Sequence, residues 1–366
     1  MGTERVDTVI VGGGQAGLAT GYYLNQLGRS YAMLDSHERI GDAWRKRWDS
    51  LRLFTPALFS HLPGLKHEGK RWAFLTKDEM ADYLEAYAAR FGIPVRTDHR
   101  VDRVVKEGDG FIVTSGHRTF EADNVVIAAG AYHKPKTPSF AADLDPKILQ
   151  IHSAAYRAPS QLREGRVLLV GLGNSGAEIA YELTATHETF VAGKAPGQVP
   201  VKHGTLPAKL GFRVLRFVGH RVLKTSTPIG RKLIPKLKTK GDPLIRRRVK
   251  DLDAVGVKRV ARVAGVEDGK PILEDGRVMD VENVIWCTGF GYDFSWVELP
   301  VFDEEGEPRH ERGVARDVPG LFFVGLAFQY SFSSDALPSR SRDAAYIAKR
   351  IAARNEPPQR NRAVPA

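Results

Sequence analysis

The densest hydrophobic pattern lies at the start of the chain. Residues 6–11 form a largely apolar run that suits a buried strand. Leu18, Tyr22 and Leu27 then recur at helical spacing, Gly28 stops the pattern, and a second apolar run ends at Asp35. Strand, helix and strand follow in that order. Residues 76–90 predict a helix in which Thr76 and Glu79 form a capping box and Met80, Tyr83, Leu84 and Tyr87 make one apolar face. Alternating runs at 101–106, 111–115 and 118–122 predict a β-meander, and 124–130, which ends in small residues, a buried strand.

The pattern then repeats. A strand at 166–170 leads into an alanine-rich helix over 177–186 and a strand at 189–192. Runs at 257–263, 271–273 and 277–281 predict a second meander, and 283–289 echoes 124–130. Gly12 to Asn124 spans 112 positions, as does Gly171 to Asn283, which argues for a duplicated module. The fold class expected is α/β, with two Rossmann-like dinucleotide-binding domains, each carrying a β-meander. Prolines 135, 138, 146 and 159 mark a crossing between them. Residues 320–325 read as a short buried strand. Residues 341–354 read as a helix burying Ala344, Ala345, Ile347, Ala348 and Ile351. These readings give one domain from 1–133 and 281–354, a second from 160–280 with an insert at 195–250, and a disordered tail at 355–366.

The chemistry sits where each first strand meets its helix. Gly12, Gly14 and Gly17 stand at the GxGxxG spacing, and Gly171, Gly173 and Gly176 repeat it. The first glycine permits the tight turn, the second lets backbone approach a pyrophosphate, and the third lets helix pack on strand. The helix N-terminus then offers unpaired N–H groups and its dipole to the phosphates. Asp35 and Lys194 each lie 23 positions beyond the first glycine of their module. A carboxylate there favours free ribose hydroxyls, and a cation favours a 2′-phosphate. The first site should therefore take FAD or NAD, and the second NADP(H).

Composition narrows the class. The chain has 366 residues, 42% hydrophobic and 27% charged, which is ordinary globular usage. No apolar run approaches the roughly 18 to 20 residues of a membrane span. The single cysteine, Cys287, excludes an intramolecular disulfide framework, a CxxC redox pair and a multi-cysteine metal site. No metal site and a cytoplasmic location are expected. The formal charge of +11 concentrates between 189 and 241, where no Asp or Glu occurs, and continues in Arg246–Arg248. Three readings fit this insert: a lid over the second domain, attraction of an acidic substrate, or contact with an anionic membrane surface. No aromatic interleaving or helix-turn-helix pattern points to nucleic acid.

Together these motifs resemble the flavin-containing monooxygenases, in particular their compact bacterial and plant-type branch. The stretches that carry the likeness are GGGQAG at 12–17, GDAWRKRWDSLRLFTP at 41–56, QIHSAAYRAP at 150–159, GLGNSG at 171–176, VAGK at 191–194, WCTGF at 286–290 and GLFFVGLAFQ from 320. The resemblance implies FAD in the first module and NADPH in the second. It implies that NADPH reduces the flavin and that a C4a-(hydro)peroxyflavin passes one oxygen atom from O2 to a small-molecule substrate. By the same resemblance Trp44, Arg45 and Thr55 lie along the flavin, and Gly325 lies beneath the ring. Gln329 stands near the site mouth, Val104 or Val105 contacts adenine, and Asn174 and Ser175 sit by the NADP pyrophosphate or nicotinamide. Thr55 and Gln329 are the catalytic candidates. Gln15, Ala16, Ser36 and Gly130 complete the cofactor set.

The chain departs from the family fingerprint FxGxxxHxxxY. His152, Ser153 and Tyr156 match its second half, while Pro146 and Ile148 occupy the Phe and Gly places. His152 is expected to be structural rather than a base. Thr55–Pro56 stand where many members carry asparagine. Two alternatives stay open: a flavin oxidase or reductase passing electrons to O2 or another acceptor, and a basic-faced flavoprotein docking a membrane or a partner.

Overall fold

A computed structural model describes residues 2–132, 134–238, 242–331, 334 and 337–354; the tail at 355–366 lies outside them. The first module opens with β1 (Thr3–Val11), α1 (Gln15–Gln26) and β2 (Tyr31–Leu34). A short α2 (Asp42–Arg45) precedes α3 (Lys77–Arg90), β3 (Val95–Arg96), β4 (Arg103–Glu107), β5 (Gly110–Ser115) and β6 (Arg118–Ile127). The crossing contains β7 (Lys134–Pro135) and β8 (Leu149–His152). The second module follows with β9 (Arg166–Val170), α4 (Asn174–Leu183) and β10 (Glu188–Ala192). Helices α5 (Leu206–Arg221), α6 (Pro228–Lys238) and α7 (Val249–Ala254) come next, then β11 (Lys258–Val260), β12 (Val263–Glu267), β13 (Lys270–Leu273) and β14 (Asn283–Trp286). The chain ends with β15 (Phe290–Gly291), β16 (His310–Glu311), β17 (Val314–Ala315), β18 (Leu321–Phe323) and α8 (Leu337–Arg354).

The strands form two main sheets. The first runs β16-β17-β18-β6-β1-β2-β3, with β4 and β5 continuing as a meander from β6. The second runs β11-β10-β9-β14-β8 and is parallel throughout. The duplication holds at the level of register. Thr8 faces Asn124 across β1 and β6, and Val167 faces Asn283 across β9 and β14. Thr8 and Val167 each precede the first glycine of their module by the same interval. Both asparagines are fully buried, and each donates to backbone carbonyls: Asp7 within β1 for Asn124, Arg163 just before β9 and Arg166 at its start for Asn283.

Alternation along the strands builds cores on both faces of each sheet. Ile10, Met33, Val126 and Phe322 face α1, α3 and α8, whereas Val9, Leu34, Val125 and Phe323 face the meander side. In the second sheet Val167, Leu169 and Ile285 pack with α4, and Leu168, Val284 and Trp286 pack with the β12–β13 hairpin. The capping box forms at α3: Thr76 accepts from the Glu79 N–H at 3.1 Å and Glu79 accepts from the Thr76 N–H at 2.7 Å. In α8, Ala344, Ile347, Ala348 and Ile351 are fully enclosed and Ala345 half-buried. The two isoleucines contribute about 1.5–3 kcal/mol each, enough to hold an otherwise polar helix against α1.

Three expectations are corrected. The third meander run and the run from 124 form one ten-residue strand, β6, antiparallel to β5 at its start and parallel to β1 along its length. The second meander is reduced to a hairpin. Its first run splits: Lys258–Val260 joins the sheet beside β10, and Val263 begins a bulged pairing with β13. The run from 277 to 281 forms no strand and pairs with the hairpin at a single Ile272–Val278 bridge, with Met279 and Val281 packed against Leu273. The expected boundaries at 160 and 281 also cut through the second sheet, because β8 and β14 both belong to it. An apolar strand reads the same whichever sheet receives it, so pairing rather than pattern decides its membership.

Candidate functional site: two glycine cradles and the segments between them

At the end of β1 the chain turns at Gly12, where φ is +110° and a Cβ would lie 2.5 Å from the Ala128 carbonyl oxygen. A Cβ on Gly17 would lie 1.9 Å from the Gly12 carbonyl oxygen. Nothing lies within 4 Å of the place a Gly14 Cβ would take. Gly14 caps α1 without any side-chain hydrogen bond, and the first turn holds no acid. The turn therefore combines open space beside Gly14 with the unpaired N–H groups of a helix start, as an anion cradle requires.

The second module reproduces this. Gly171 has φ +111°, and its Cβ would lie 2.4 Å from the Cys287 carbonyl oxygen. A Gly176 Cβ would lie 2.1 Å from the Gly171 carbonyl oxygen, and Gly173 is as open as Gly14. Ser175 lies half-buried in the first turn of α4. Asn174 is occupied elsewhere: its side chain donates to the Pro243 carbonyl at 3.1 Å and accepts the Ile245 N–H at 3.0 Å, pinning the end of the insert to α4. Lys194 is exposed at the end of β10, with no carboxylate partner among the described residues.

Asp35 is more constrained than its counterpart. One carboxylate oxygen accepts the Gly13 N–H at 2.6 Å, and the other accepts the His37 N–H and faces His37 Nδ1, both at 2.8 Å. Burial pushes the carboxyl up, but the His37 contacts and the Gly13 N–H outweigh it and hold the group below the usual carboxylate range. It stays ionised, and the oxygen that accepts from Gly13 keeps a lone pair for a ribose hydroxyl. The loop after β3 closes this end, with the Asp98 N–H donating to His37 and the His99 N–H to Asp35. His99 Nδ1 lies 2.7 Å from the Thr97 carbonyl, and its buried Nε2 has no partner.

At the other end, buried Gln15 hydrogen-bonds Arg340 through its side-chain oxygen, which leaves Gln15 Nε2 and Arg340 Nε buried without partners. Gly325, at φ +91°, would place a Cβ 3.1 Å from that of Ala16, so the turn after β18 meets the first turn of α1. Gly130 (φ +78°) borders open space. Ser36 is exposed beside Asp35. The open cradle and the orphaned polar atoms of Gln15, Arg340 and His99 are the features expected of a bound dinucleotide. No spacing motif singles out His37, His99 or Arg340, because loops and the distant α8 bring them in.

Several candidates have structural partners instead. Gln329 is 1% exposed, and its side-chain oxygen accepts from the Gly325 and Leu326 N–H groups at 3.0 and 3.3 Å. It shapes the turn rather than facing a substrate. Val104 is fully buried, its N–H donating to Trp296 and its carbonyl accepting from Glu298, so its backbone is not free for adenine. Val105, its half-buried neighbour, pairs across the meander with Ile112. Arg45 is tied to the Ile40 carbonyl, Asp82 and Glu85, joining α2 to α3. Thr55 is half-buried, and its carbonyl accepts from Ser60.

The segment after α2 links the two modules. Trp44 packs against the core that faces α1 and α3, and Trp48 enters the one that faces α4, beside Tyr156 and Val167. Between them Arg47 lies over the Phe290 ring at 5.4 Å and donates to the Ala43 carbonyl. Burial lowers its pKa, and among the described residues no carboxylate pairs with it. His152 faces the Gly289 carbonyl through Nε2 at 3.1 Å and accepts the Ala154 N–H through Nδ1, so both ring nitrogens are engaged. A cavity of 630 Å³ opens beside the crossing strands, lined by Lys134, Lys136, Thr288 and Tyr292 among others. Burial pushes the Cys287 thiol up to about 12, which leaves it protonated and unreactive. No group of three metal-binding side chains occurs among the described residues.

The insert bridges the modules rather than covering the second alone. His203 Nε2 lies 2.8 Å from the Phe54 carbonyl and its ring 4.0 Å from that of Phe74. Lys224 bridges to Ser331, and the Thr225 N–H donates to Tyr330 at 2.9 Å. Arg246 and Arg247 approach Glu178 of α4, and Arg248 pairs with Asp251.

Residues 9–195 match the pyridine nucleotide-disulphide oxidoreductase family. The chain is 39% identical, over 93% of its own length and 97% of the relative's, to an uncharacterised CzcO-like oxidoreductase of Geobacillus kaustophilus. It is 29% identical to the indole-3-pyruvate monooxygenase YUCCA8 of Oryza sativa subsp. japonica, covering 94% of this chain and 90% of that one. Among solved structures, a flavin-containing monooxygenase from Stenotrophomonas maltophilia superposes with a TM-score of 0.77 at 28% identity, covering 96% of this chain and 99% of that chain.

Proposed function

The chain belongs to the pyridine nucleotide-disulphide oxidoreductase family, among its flavin monooxygenases, as an enzyme that uses FAD and NADPH; on that premise we propose that it transfers one oxygen atom from O2 to a small molecule. The observation that carries the reading is the in-register duplication: two open glycine cradles, one braced by Asp35 and the other followed by Lys194. Such a pair suits one resident dinucleotide with free ribose hydroxyls and one exchangeable dinucleotide with a 2′-phosphate.

When bound, the flavin supplies two-electron reduction by NADPH and activation of O2. The protein holds and orients. The first turn of α1 would take the FAD pyrophosphate, with Asp35 on the ribose and His99 Nε2 toward the adenosine end. Gln15 and Arg340 would contact the same cofactor beyond the cradle. Gly325, fixed by Gln329, would let the backbone approach the bound cofactor closely. The first turn of α4, with Ser175, would take the NADPH pyrophosphate. Trp48, His203 and Thr225 hold the modules and the insert together, which limits water between them.

Arg47 and the plant relative both favour a substrate with an acidic group. A half-buried guanidinium without a carboxylate partner gains most from a ligand anion, and that relative is named for its action on an organic acid. A cytoplasmic location belongs to this proposal; the structure contributes only that no helix among the described residues is long and apolar enough to cross a membrane.

Stopped-flow spectroscopy tests the reading. NADPH should bleach the flavin, and mixing with O2 should give a transient distinct from both reduced and oxidised flavin. Aryl-pyruvates, amines and sulfides then form the substrate screen, with coupled product the expected result. Hydrogen peroxide equal to the NADPH consumed, with every substrate, would establish an oxidase instead. Failure of NADPH to bleach the flavin would remove the redox assignment of the second cradle.

A further inference from the structure

Helix α5 has two apolar faces. One is used: Ala208 and Gly219 are buried, and Phe212 packs near His203. The other is bare. Leu206, Leu210, Val214 and Phe217 recur at helical spacing and are 78%, 62%, 55% and 62% exposed. On α6, Ile229 and Leu233 repeat the arrangement one turn apart, while Gly230 and Ile234 face inward. These six side chains are most of the large apolar residues exposed among the described residues. A solvated lid has no use for such a stripe, and single exposed apolar residues would not line up along two consecutive helices.

The charge around the stripe selects its occupant. Lys202, Arg213, Arg221, Arg231 and Lys232 are exposed beside it, and no Asp or Glu lies between 189 and 241. A second copy of this chain would set the same cations against one another, because a two-fold interface pairs a patch with itself. An anionic bilayer complements both features: phosphate headgroups meet the lysines and arginines, and the stripe enters the acyl boundary. We propose that α5 and α6 dock the enzyme on an anionic membrane surface, lying in the interface and not crossing it. The same segment reaches Phe54, Tyr330 and Ser331 of the first module through His203, Thr225 and Lys224, which flank the helices.

Flotation of the FAD-loaded protein with phosphatidylcholine vesicles, with and without phosphatidylglycerol, tests this. Binding is expected only with phosphatidylglycerol, and it should weaken as salt is added. Leu210→Ser with Phe217→Ser should lower partitioning at least tenfold while retaining FAD, since both side chains already stand in solvent. Equal binding by that variant would overturn insertion of the stripe, as would absence of binding by the parent protein. A dimer in solution that the same variant dissolves would assign the face to a second copy and overturn the membrane reading.

Discussion

Gln329 holds Gly325: a side chain at 1% exposure accepts the Gly325 N–H at 3.0 Å and the neighbouring Leu326 N–H at 3.3 Å. The turn it fixes sits against Ala16 at the mouth of the first cradle. Gln329→Ala leaves two buried donors unsatisfied, at a cost of about 1–3 kcal/mol each before relaxation or entry of water. The expected outcome is a lower melting temperature and weaker FAD retention, with the rate per bound flavin changed less than tenfold. Thermal unfolding and flavin occupancy measured on the same preparation check this. Loss of turnover at full flavin occupancy would restore Gln329 as a catalytic residue.

The glycine triplets make a sharper contrast. Gly14 and Gly173 have open space where a side chain would stand, whereas a Cβ on Gly17 or Gly176 meets a backbone carbonyl at 1.9 or 2.1 Å. Gly14→Trp should fold and lose FAD, and Gly173→Trp should fold, keep FAD and lose reduction by NADPH. Gly17→Ala should instead fail to give folded protein, because no flexible atom can move aside. Circular dichroism with flavin absorbance separates the outcomes, and FAD retained by Gly14→Trp would remove the first-site assignment.

What could be read in advance was whatever one backbone position demands by itself. Gly12 and Gly171 need their turn, Thr76 needs Glu79, and Asp35 stands at a strand end, so short spacings reveal all of them. Residues whose partners come from distant pairing carry no such signal. Gln329, Val104 and Asn174, singled out by family likeness, have partners at Gly325, Trp296 and Pro243 that no spacing announces. The 112-position repeat places the strand at Asn283 in the second module, whereas a boundary at 281 cuts it from the sheet that pairing gives it. His99 and Arg340 carry no local signature, since each matters only through what the fold brings beside it.

Asp35 gives a pH dependence with a definite sign. Its pKa is lowered in the folded protein. The stabilisation it contributes is therefore complete above the ordinary carboxylate value of about 4 and is lost as pH falls through the lowered value. Asp35→Asn should lower stability at neutral pH and narrow its difference from the parent protein as the solution becomes acid. Melting temperatures of the two proteins between about pH 6 and pH 3 check this, and a difference independent of pH would show that the carboxylate charge does not brace Gly13. Other lowered carboxylates, such as Glu85, titrate in both proteins and cancel in the comparison.

Lys194 separates the two cradles chemically. It is exposed and free of carboxylate partners among the described residues, so a phosphate would not have to displace an existing ion pair. A charge-assisted contact contributes about 1.5–3 kcal/mol, roughly ten- to a hundredfold in binding, and solvent exposure places this one at the lower end. Lys194→Ala should raise the KM for NADPH about tenfold and leave that for NADH nearly unchanged, with kcat preserved for both. The effect should shrink at high salt, because an exposed pair is screened. Steady-state reduction with the two nucleotides at two ionic strengths measures all of this. Equal losses for NADPH and NADH would mean that Lys194 touches something common to both, and the cation would no longer distinguish the second cradle from the first.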